Sequence, residues 1–473
     1  MTSLNTYFSQ LVSALHHLVF WEIGGIPLTI AWIAIAGIIF TFKLRLINIW
    51  GFPHAIAVLL GKYDHNDHPG DVSHFQAMAT ALSATVGLGN IAGVAIAIDL
   101  GGLGAVFWMT VVGFLGMSTK LIECTLGQKY RQIDPKGAIA GGPMYYLSNG
   151  LAELGQPRLG RFLAGSFALL CVGSSLGAGN MFQANQSLAA LEIVFADLSP
   201  WRGIYGLGLA FLVGLVIIGG IRRISTVAGS LVPIMLTIYI GLCLWVIGQH
   251  ATAIPTALAT ILHDSVQPQA IEGGIVGVIV QGVRRSVFSN AAGTGSAAIA
   301  HAAAQSPEPA RQGIVALLEP FIDTVIICNL TALAIATSQV TGQHLNGIEL
   351  TAQAFGNTVS WFPAVLALVV LLFAFSTIVS WSYYGEQCWT YLFGHQTTLL
   401  FKLLFLTALG IGAIVNLDSV VDFSDTMLVL MAIPNLWGCY CLCDRAIAEI
   451  NTYFAQLGEG GEGEEIGIVT DNQ

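Results

Sequence analysis

The chain has 473 residues, of which 55% are hydrophobic and only 9% are charged, and its mean hydropathy is +0.74. An average soluble protein carries roughly 25% charged residues, so this composition excludes a soluble globular protein. The formal net charge of −10 gives no basic surface for a nucleic-acid partner. The sequence therefore predicts a polytopic protein that is embedded in the lipid bilayer.

Long uncharged stretches recur along the chain and match the ~20 apolar residues that a helix needs to cross a ~30 Å hydrocarbon core. We predict eleven membrane-spanning helices, spans one to eleven, and hence an all-α fold. Their expected bounds are 23–42, 76–98, 104–128, 161–188, 203–220, 226–248, 272–303, 313–338, 360–385, 397–416 and 426–443.

The two ends of the chain have their own character. Residues 1–60 are expected to form an interfacial segment followed by span one, and no Lys or Arg precedes Lys43, so no cleaved signal peptide is expected. Residues 446–473 are acidic and rich in glycine, and we predict a disordered cytoplasmic tail. With the N-terminus outside, fourteen of the seventeen Lys and Arg residues lie on the cytoplasmic side of the cell membrane, as the positive-inside rule requires.

Span two is interrupted by glycines near its middle. The stretch SATVGLGNIAGVA (83–95) carries Gly87, Gly89 and Gly93 around Asn90. Each glycine costs roughly 1 kcal/mol in a helix interior, and non-helical backbone at membrane depth persists only where protein or a water-filled cavity satisfies it. A binding cavity would explain the glycines; close helix packing through Gly89-xxx-Gly93 is the alternative.

Span seven carries a similar interruption, FSNAAGTG, at 288–295. Spans two and seven are five helices apart, so they cross the membrane in opposite directions. Residues 70–248 and 271–445 are therefore predicted to form two five-helix repeats of inverted orientation. Glycine-interrupted spans at matching positions of such repeats mark the binding site of secondary transporters, which favours a transporter over packing alone.

Polar groups gather around the two breaks. Neutral side-chain oxygens suit Na⁺, which prefers oxygen ligands, although hydrogen bonding within the membrane is the alternative for each of them. The N–H groups that open the second half-helices, from Asn90 and from Ser296, are expected to hold a carboxylate, whereas the carbonyls that end the first halves would hold an ammonium group or Na⁺. A zwitterionic α-amino acid fits this arrangement. The candidates at the breaks are Thr85, Gly87, Gly89, Asn90, Phe288, Ser289, Asn290 and Gly293 for the substrate, with Thr85, Asn90 and Thr294 also for Na⁺.

Further candidates lie in spans four and nine. The aromatic side chains of Phe182, Phe288 and Trp381 would wall a pocket for a small side chain, with packing or lipid contact as the alternative. Asn180 and Gln183 lie one turn apart in span four and are candidates to reach the amino-acid headgroup.

Charged residues inside spans are costly and usually face the bundle or a water-filled cavity. Arg285 is expected to act in a vestibule or gate, or to pair with Glu319 or Asp323. Asp323 is a candidate link to the Na⁺ site, or a hydrogen-bonding group between helices. We interpret Glu123 and Lys120 as an i,i+3 ion pair.

The sequence contains few motifs that would indicate another class of function. The chain has no GxxxxGK[ST] or HExxH motif, so we expect neither an enzyme nor an ATP-hydrolysing subunit. The loop DHNDH (64–68) is interpreted as a polar loop, and the eight cysteines as small hydrophobic residues, with a soft-metal site at 439–443 as the alternative. H⁺ coupling, or a sensor or channel on the same scaffold, stays open; His74 and His301, near span ends, are poor proton carriers in this interpretation.

Several long motifs occur in an order that resembles the alanine or glycine:cation symporter family, the sodium:alanine symporters. The resemblance covers the chain up to its acidic tail. The motifs are GDVSHFQAMATALSATVGLGNIAGVA (70–95), GGPMYY (141–146), GNMFQAN (179–185), SVFSNAAGTGSAAIAHAAA (286–304), FIDT (321–324) and FAFSTIVSWSYYGE (373–386).

The resemblance implies a LeuT-like core of ten helices, spans two to eleven, and Na⁺-coupled uptake of alanine or glycine, with D-alanine as a further candidate substrate. It implies that Ser376 and Thr377 bind Na⁺ together with carbonyls around Thr85 and Val86. One departure is that the family's SNEAG motif has an acidic residue where this chain has Ala291. A second is that the family's GTGN motif corresponds to 87–90, which reads GLGN here.

Overall fold

The computed structural model describes residues 19, 21–23, 26–63, 70–133, 139–195, 198–266, 274–340, 345, 347–415 and 417–459. Most of the expected interfacial segment, the DHNDH loop and residues 460–473 lie outside the described residues.

The first half of the chain is built of helices and two small antiparallel hairpins, β1–β2 and β3–β4. The strands are β1 (Glu22–Ile23), β2 (Ile26–Pro27), β3 (Gln132–Ile133) and β4 (Ile139–Ala140). The helices are α1 (Leu28–Lys43), α2 (Ile47–Trp50), α3 (Phe52–Leu59), α4 (His74–Thr85), α5 (Ala92–Gly101), α6 (Gly104–Lys129), α7 (Pro143–Tyr145, continued by a π-helical turn Tyr146–Gly150 and by Leu151–Glu153), α8 (Pro157–Val194), α9 (Arg202–Ile217) and α10 (Gly220–Gln249).

In the second half, the regular elements among the described residues are helices. Its helices are α11 (Ile254–Val266), α12 (Gly274–Asn290), α13 (Ser296–Ala302), α14 (Pro309–Thr337), α15 (Ile348–Thr358), α16 (Phe362–Phe393), α17 (Thr398–Gly412) and α18 (Leu417–Glu459). Short 3₁₀ turns lie at Ser199–Trp201, Ala251–Ala253 and His395–Thr397.

Each predicted span corresponds to a helix or a pair of helices. Among the described residues, six segments are long and apolar enough to cross a membrane: Gly104–Lys129, Pro157–Val194, Gly220–Gln249, Pro309–Thr337, Phe362–Phe393 and Val420–Leu457. The chain is thus a multi-pass membrane protein, while the full count of eleven crossings stays a prediction.

The predicted interruptions of spans two and seven are real gaps between helices. α4 begins with a capping box between Ser73 and Gln76 and ends at Thr85, because Val86 has an extended backbone (φ −70°, ψ 93°). α12 ends at Asn290, and α13 begins six residues later. Broken helices at membrane depth are therefore a feature of this fold and not only of its composition.

The two broken helices run in opposite directions. Val72, just before α4, pairs with Ala304, just after α13, and the backbone N–H of Gln305 donates to the carbonyl of Val72 at 2.8 Å. The start of one broken helix thus lies beside the end of the other. We call this side of the molecule, where α18 also ends, the tail side, and the opposite one the far side.

α18 is longer than the predicted span eleven. It continues to Glu459, so residues 446–459, which we expected to be disordered, are helical. Glu449 of this extension pairs with Lys129, and Tyr453 bonds His54 at 2.8 Å. Packing against the tail-side ends of other helices accounts for its order.

Two π-helical turns interrupt long helices close to the breaks. One covers Gly177–Met181 in α8, and the other covers Phe321–Cys328 in α14. Such turns are uncommon and occur frequently at functional sites. They contain Asn180 and Asp323, two of the residues predicted to act in binding.

Candidate functional site

The break in span two is packed against span nine and span four. A Cβ atom at Gly87 would lie only 2.7 Å from Thr377 Oγ1 and 3.5 Å from Gln183 Oε1. Gln183 Oε1 is buried and has no hydrogen-bond partner among the described residues. The absence of a side chain at Gly87 therefore lets a hydroxyl and a free amide oxygen approach the backbone of the break.

Span nine binds the carbonyl groups that end α4. Thr377 Oγ1 donates to the carbonyl of Ser83, and Trp381 Nε1 donates to that of Ala84, each at 2.8 Å. The Thr85 hydroxyl donates within its own helix, to Ala81, at 3.1 Å. The negative end of α4 thus lies where we predicted it, with α16 side chains as its partners in this structure.

The second predicted Na⁺ ligand of span nine makes local bonds. Ser376 Oγ donates to the carbonyl of Phe373 at 3.1 Å and contacts the sulfur of Met235 at 3.6 Å. The nearby hydroxyl of Ser83 is buried and lacks a partner among the described residues. Neutral oxygens of α4 and α16 therefore lie close together at the break.

The two breaks touch each other through Gly89. A Cβ atom there would lie 3.3 Å from both Phe288 Cδ1 and the Phe288 carbonyl oxygen. This is tighter than most real Cβ contacts, so a side chain at this position would push spans two and seven apart. The glycine therefore allows close helix approach, which supports the packing explanation, while a binding cavity at this break stays a prediction.

Asn90 joins the two breaks to span eight. Its Nδ2 donates to Ser289 Oγ at 3.1 Å and to Asp323 Oδ1 at 2.6 Å, and its Oδ1 accepts from the Gly87 N–H at 3.0 Å. The side chains of Asn90, Ser289 and Asp323 are all buried from solvent. Asn90 therefore fixes the shape of the break rather than projecting freely into a pocket.

The Asp323 carboxylate is held by neutral donors. Ser289 Oγ donates to Oδ2 at 2.5 Å, and Thr324 Oγ1 donates to the same oxygen at 2.9 Å. No ion pair of Asp323 occurs among the described residues. The hydrogen bonds between spans two, seven and eight match the second of the two roles that we predicted for this residue.

The break in span seven is stabilised mainly by its own residues. Ala291, Gly293 and Gly295 have φ values of +52°, +89° and +80°, which explains the two glycines. Asn290 Oδ1 accepts from the N–H of Ala292 at 2.8 Å, and Thr294 Oγ1 donates to the carbonyl of Ala291 at 2.8 Å. The Thr294 hydroxyl predicted to bind Na⁺ thus makes a bond within the break.

The start of α13 lies beside a protein carboxylate, which we did not expect. Glu123 of α6 faces the backbone N–H of Gly295. Asn435 Nδ2 bridges the two parts, since it donates to Glu123 Oε1 at 2.5 Å and to the Gly293 carbonyl at 2.7 Å. Tyr146 donates in turn to Asn435 Oδ1. The prediction that this helix end binds the substrate carboxylate therefore has a competitor inside the protein.

Lys120 and Glu123 interact electrostatically as predicted, but the close ion pair of Lys120 is with another residue. Lys120 Nζ lies 3.1 Å from Glu319 Oε2, with both side chains fully buried. His301 also pairs with Glu319. His301, one residue before the end of α13 and so near a span end as we expected, is a fully buried member of this charged cluster.

Arg285 pairs with neither of its predicted partners. Asp425, near the start of α18, accepts from Arg285 and lies 2.7 Å from Arg284. The Arg285 guanidinium also lies over the ring of Phe288, 5.3 Å from its centroid. Paired charges thus lie on the far side of the broken span seven, in contact with a predicted pocket residue.

Two of the three predicted wall residues contact each other, and the third packs on α8. Phe182 and Phe288 meet edge to face, with centroids 5.1 Å apart. Trp381 packs on Gly179, where a Cβ atom would lie only 2.2 Å from Trp381 Cγ. This contact leaves no room for a side chain at position 179.

Gly179→Ala is therefore expected to lower the melting temperature of the detergent-solubilised protein and to abolish uptake, because overpacking costs about 1–3 kcal/mol. Gly165→Ala in the same helix is the matched control, since nothing lies within 4 Å of its Cβ position. That change is expected to leave the melting temperature unchanged or to raise it, because alanine favours a helix by ~1 kcal/mol. Equal effects of the two substitutions would contradict the contact.

The two polar candidates of span four differ in their contacts. Asn180 Nδ2 donates to the carbonyl of Phe405 in α17 at 2.7 Å, so this side chain joins two helices. Gln183 Nε2 donates to the carbonyl of Ala178 at 3.0 Å, and its free oxygen faces the span-two break. Gln183 is the better placed of the two to meet a ligand.

Sequence reasoning missed several residues that hold the site. Asp425 lies one residue before our predicted span eleven, and two arginines inside a span were the signal that a buried acidic partner exists. Asn435 gave no such signal, because a lone polar residue in a span has many roles, and Tyr146 entered only as part of the GGPMYY motif, without a role. Thr324 of the FIDT motif could have been found, because it directly follows Asp323, which we had already selected as a candidate.

Comparison with known proteins agrees with this arrangement. The sodium:alanine symporter family matches residues 5–466. The sodium/alanine symporter AgcS of Methanococcus maripaludis is 39% identical over 422 residues, covering 88% of this chain and 92% of its own. The probable sodium/glutamine symporter GlnT of Bacillus subtilis is 34% identical, covering 90% and 87%.

Among solved structures, that of MhsT in complex with L-phenylalanine superposes with a TM-score of 0.54 at 14% identity, over 81% of this chain and 98% of that one. This likeness concerns the fold, which is that of the LeuT-like transporters. The chain therefore belongs to the sodium:alanine symporter family, as its motifs indicated, and is a membrane transporter for Na⁺-coupled amino-acid symport rather than an enzyme.

Proposed function

We propose that this protein imports small neutral amino acids, alanine or glycine, together with Na⁺ across the cell membrane by alternating access. The tail side is then cytoplasmic, as the distribution of Lys and Arg predicts. The observation that carries the proposal is the meeting of the span-two break with Thr377, Trp381 and the free oxygen of Gln183. Backbone N–H groups, carbonyl groups and neutral oxygens lie together there.

A small substrate is favoured by the packing around this break. Phe182, Phe288 and Trp381 bound the region, and the contacts at Gly87, Gly89 and Gly179 are already tight. The substrate ammonium and Na⁺ are both suited to the carbonyl end of α4, and the substrate carboxylate to the N–H groups that open α5. Glu123 faces the start of α13, whereas the N–H groups of Ala92 and Gly93 at the start of α5 donate to the Leu88 carbonyl and not to a carboxylate, so we expect the substrate carboxylate at span two.

Na⁺ is expected to bind between α4 and α16, with Thr377, Ser376 and the carbonyls of Thr85 and Val86 as ligands. Neutral oxygens alone suffice for a monovalent cation, which needs less anionic charge than Ca²⁺. By linkage, Na⁺ and the amino acid should increase each other's affinity by the same factor. Asp323 lies one hydrogen bond from this region, through Asn90, and supplies a negative charge at its edge.

The test is uptake of radiolabelled L-alanine into proteoliposomes, with an inward Na⁺ gradient and then with choline in place of Na⁺ at fixed pH. Accumulation that requires Na⁺ and is suppressed by excess glycine, but not by excess glutamine, is the expected result. Equal accumulation in choline, driven by a pH gradient, would favour H⁺ coupling. Saturable binding without accumulation would favour a sensor, and suppression by glutamine alone would favour a larger substrate.

Thr377→Val is expected to raise the Na⁺ concentration for half-maximal uptake roughly tenfold, because losing a good hydrogen bond or ligand costs about 1–1.5 kcal/mol. The maximal rate at saturating Na⁺ should change less, since valine keeps the shape of the side chain. Thr407→Val is the matched control, because that exposed hydroxyl donates only to its own helix, to Leu403 at 2.8 Å. An unchanged Na⁺ dependence in Thr377→Val would remove this residue from the site.

A further inference from the structure

A single buried amide lies between the tail-side halves of both broken helices. Gln312 of α14 is fully buried, its Oε1 accepts from Nδ1 of His74 at the start of α4, and its Nε2 donates to Nδ1 of His301 in α13 at 2.5 Å. On its other edge, His301 Nε2 bonds Glu319, which also holds Lys120. One side chain of α14 thus binds the tail-side halves of both broken helices.

The donors and acceptors of this chain are fixed by the amide. The amide nitrogen carries only hydrogens and the amide oxygen only lone pairs. Nδ1 of His301 must therefore be without a hydrogen, so that His301 is neutral and donates from Nε2 to Glu319. Nδ1 of His74, in contrast, must carry a hydrogen. The observed arrangement has room for one Nδ1 hydrogen on the two imidazoles that face Gln312, and not for two.

We propose that Gln312 is a positioning residue that latches α4 and α13 on the tail side, and that protonation of the two histidines releases the latch. When both imidazoles are charged, both Nδ1 atoms carry hydrogens, and in either orientation the amide presents its NH₂ group to one of them. That contact is repulsive instead of bonding. Acid pH on the tail side should therefore favour opening towards that side. The proposal rests on the proposed function only in taking this opening as a step of transport.

The remaining charges around the latch do not substitute for the histidines. Glu319 is neutralised by Lys120, and Asp71, which precedes α4, pairs with Arg222 of α10 at 3.1 Å. A third buried histidine, His54 on the tail side, has a pKa lowered to about 4 by burial and by Arg311 and Lys62, and it stays neutral at ordinary pH. The other titratable and charged groups that face the cluster from neighbouring elements are Glu123 and Cys124 of α6, Arg131 after it, and Tyr384 of α16.

The neighbouring Cys124 provides a reporter of opening in the full-length protein. It is a free and fully buried thiol, and its sulfur lies within 4.8 Å of a ring nitrogen of His301 and of a carboxylate oxygen of Glu319. Release of α13 would expose it. The purified protein in Na⁺-free buffer is treated with N-ethylmaleimide at about pH 6 and, separately, at about pH 8. Labelling of each cysteine is then read by peptide mass spectrometry.

Two other cysteines serve as internal references for the labelling of Cys124. Exposed Cys441 corrects for the general effect of pH on thiol reactivity, and buried Cys171 in α8 reports loss of the fold. We expect the ratio of Cys124 to Cys441 labelling in the wild type to be several-fold higher at about pH 6 than at about pH 8. In Gln312→Leu the ratio should be high at both pH values, because the latch is absent.

Gln312→Glu separates a latch from simple packing. A carboxylate accepts from two imidazolium Nδ1–H groups, so this variant should keep Cys124 protected at about pH 6. The proposal is overturned if Cys124 in the wild type shows no rise at acid pH relative to Cys441, or if Gln312→Glu opens at acid pH as the wild type does. If Cys171 is also labelled in Gln312→Leu, that variant has lost its fold. The test of the proposal then depends on the wild type and Gln312→Glu alone. These labelling experiments do not require transport, so their outcome is independent of the uptake assay that tests the proposed function.

Discussion

Replacing Asn90 by alanine is expected to reduce Na⁺-driven alanine uptake roughly 10- to 100-fold while the protein stays folded. Asn90 donates to the buried Asp323 carboxylate at 2.6 Å and accepts from the backbone of the span-two break. A hydrogen bond to a charged group contributes about 1.5–3 kcal/mol, and each 1.4 kcal/mol is about tenfold in an equilibrium constant. Since Asp323 keeps the bonds from Ser289 and Thr324, the loss should fall on the shape of the break rather than on folding.

Initial rates of uptake and the melting temperature in detergent would be measured side by side. Asn357→Ala is the control, because Asn357 is exposed on α15 and, within the described part of the chain, its side chain bonds only Gln353, at 3.0 Å. Uptake by Asn90→Ala at the level of the control would remove Asn90 from the binding machinery. A large fall in melting temperature would instead show that Asn90 acts mainly in stability.

The second large effect is expected at the ion pair between Arg285 and Asp425. Removing one partner leaves an uncompensated buried charge, which costs about 3–5 kcal/mol. Arg285→Gln and Asp425→Asn should each lower the melting temperature strongly and impair uptake, since Arg285 also packs on Phe288. The double variant should recover part of the loss, because it removes both charges. Arg284, which shares Asp425, limits that recovery.

An exposed ion pair on the tail side is the matched control. Lys43 and Asp444 lie 2.8 Å apart, but their side chains are 45% and 86% exposed. The coupling energy of such a pair in a double-mutant cycle is typically below about 1 kcal/mol. Coupling between Arg285 and Asp425 no larger than that between Lys43 and Asp444 would contradict the role of burial argued above.

Much of the fold could be predicted because the membrane constrains the length and composition of each spanning stretch separately. A helix must cover the hydrocarbon core, and glycine inside it is costly, so span positions and the breaks at 86–91 and 291–295 follow from local composition. The family resemblance, and not local composition, placed Thr377 beside the first break, whereas Trp381 and Gln183 were candidates for the pocket without a position relative to the break.

The contacts within the site were less accessible, because they join residues far apart in the chain. Arg285 and Asp425 are 140 positions apart, and Glu123 and Asn435 are 312 positions apart. Without a structure, the nearest opposite charge in sequence is the natural guess, and for Lys120 that guess selected Glu123 instead of Glu319. Donor and acceptor pairing in a buried cluster depends on packing geometry, which spacing along one helix does not encode.

The last helix has a mechanical consequence. A 43-residue helix is about 65 Å long at 1.5 Å per residue, roughly twice the hydrocarbon thickness. It contacts the paired arginines through Asp425, the span-seven break through Asn435 and the tail side through Tyr453. Pro434 removes a backbone hydrogen bond beside the middle contact, a position where helices bend. α18 thus connects the far side, the span-seven break and the tail side within one helix, so a tilt about its middle contact would move its two ends in opposite directions.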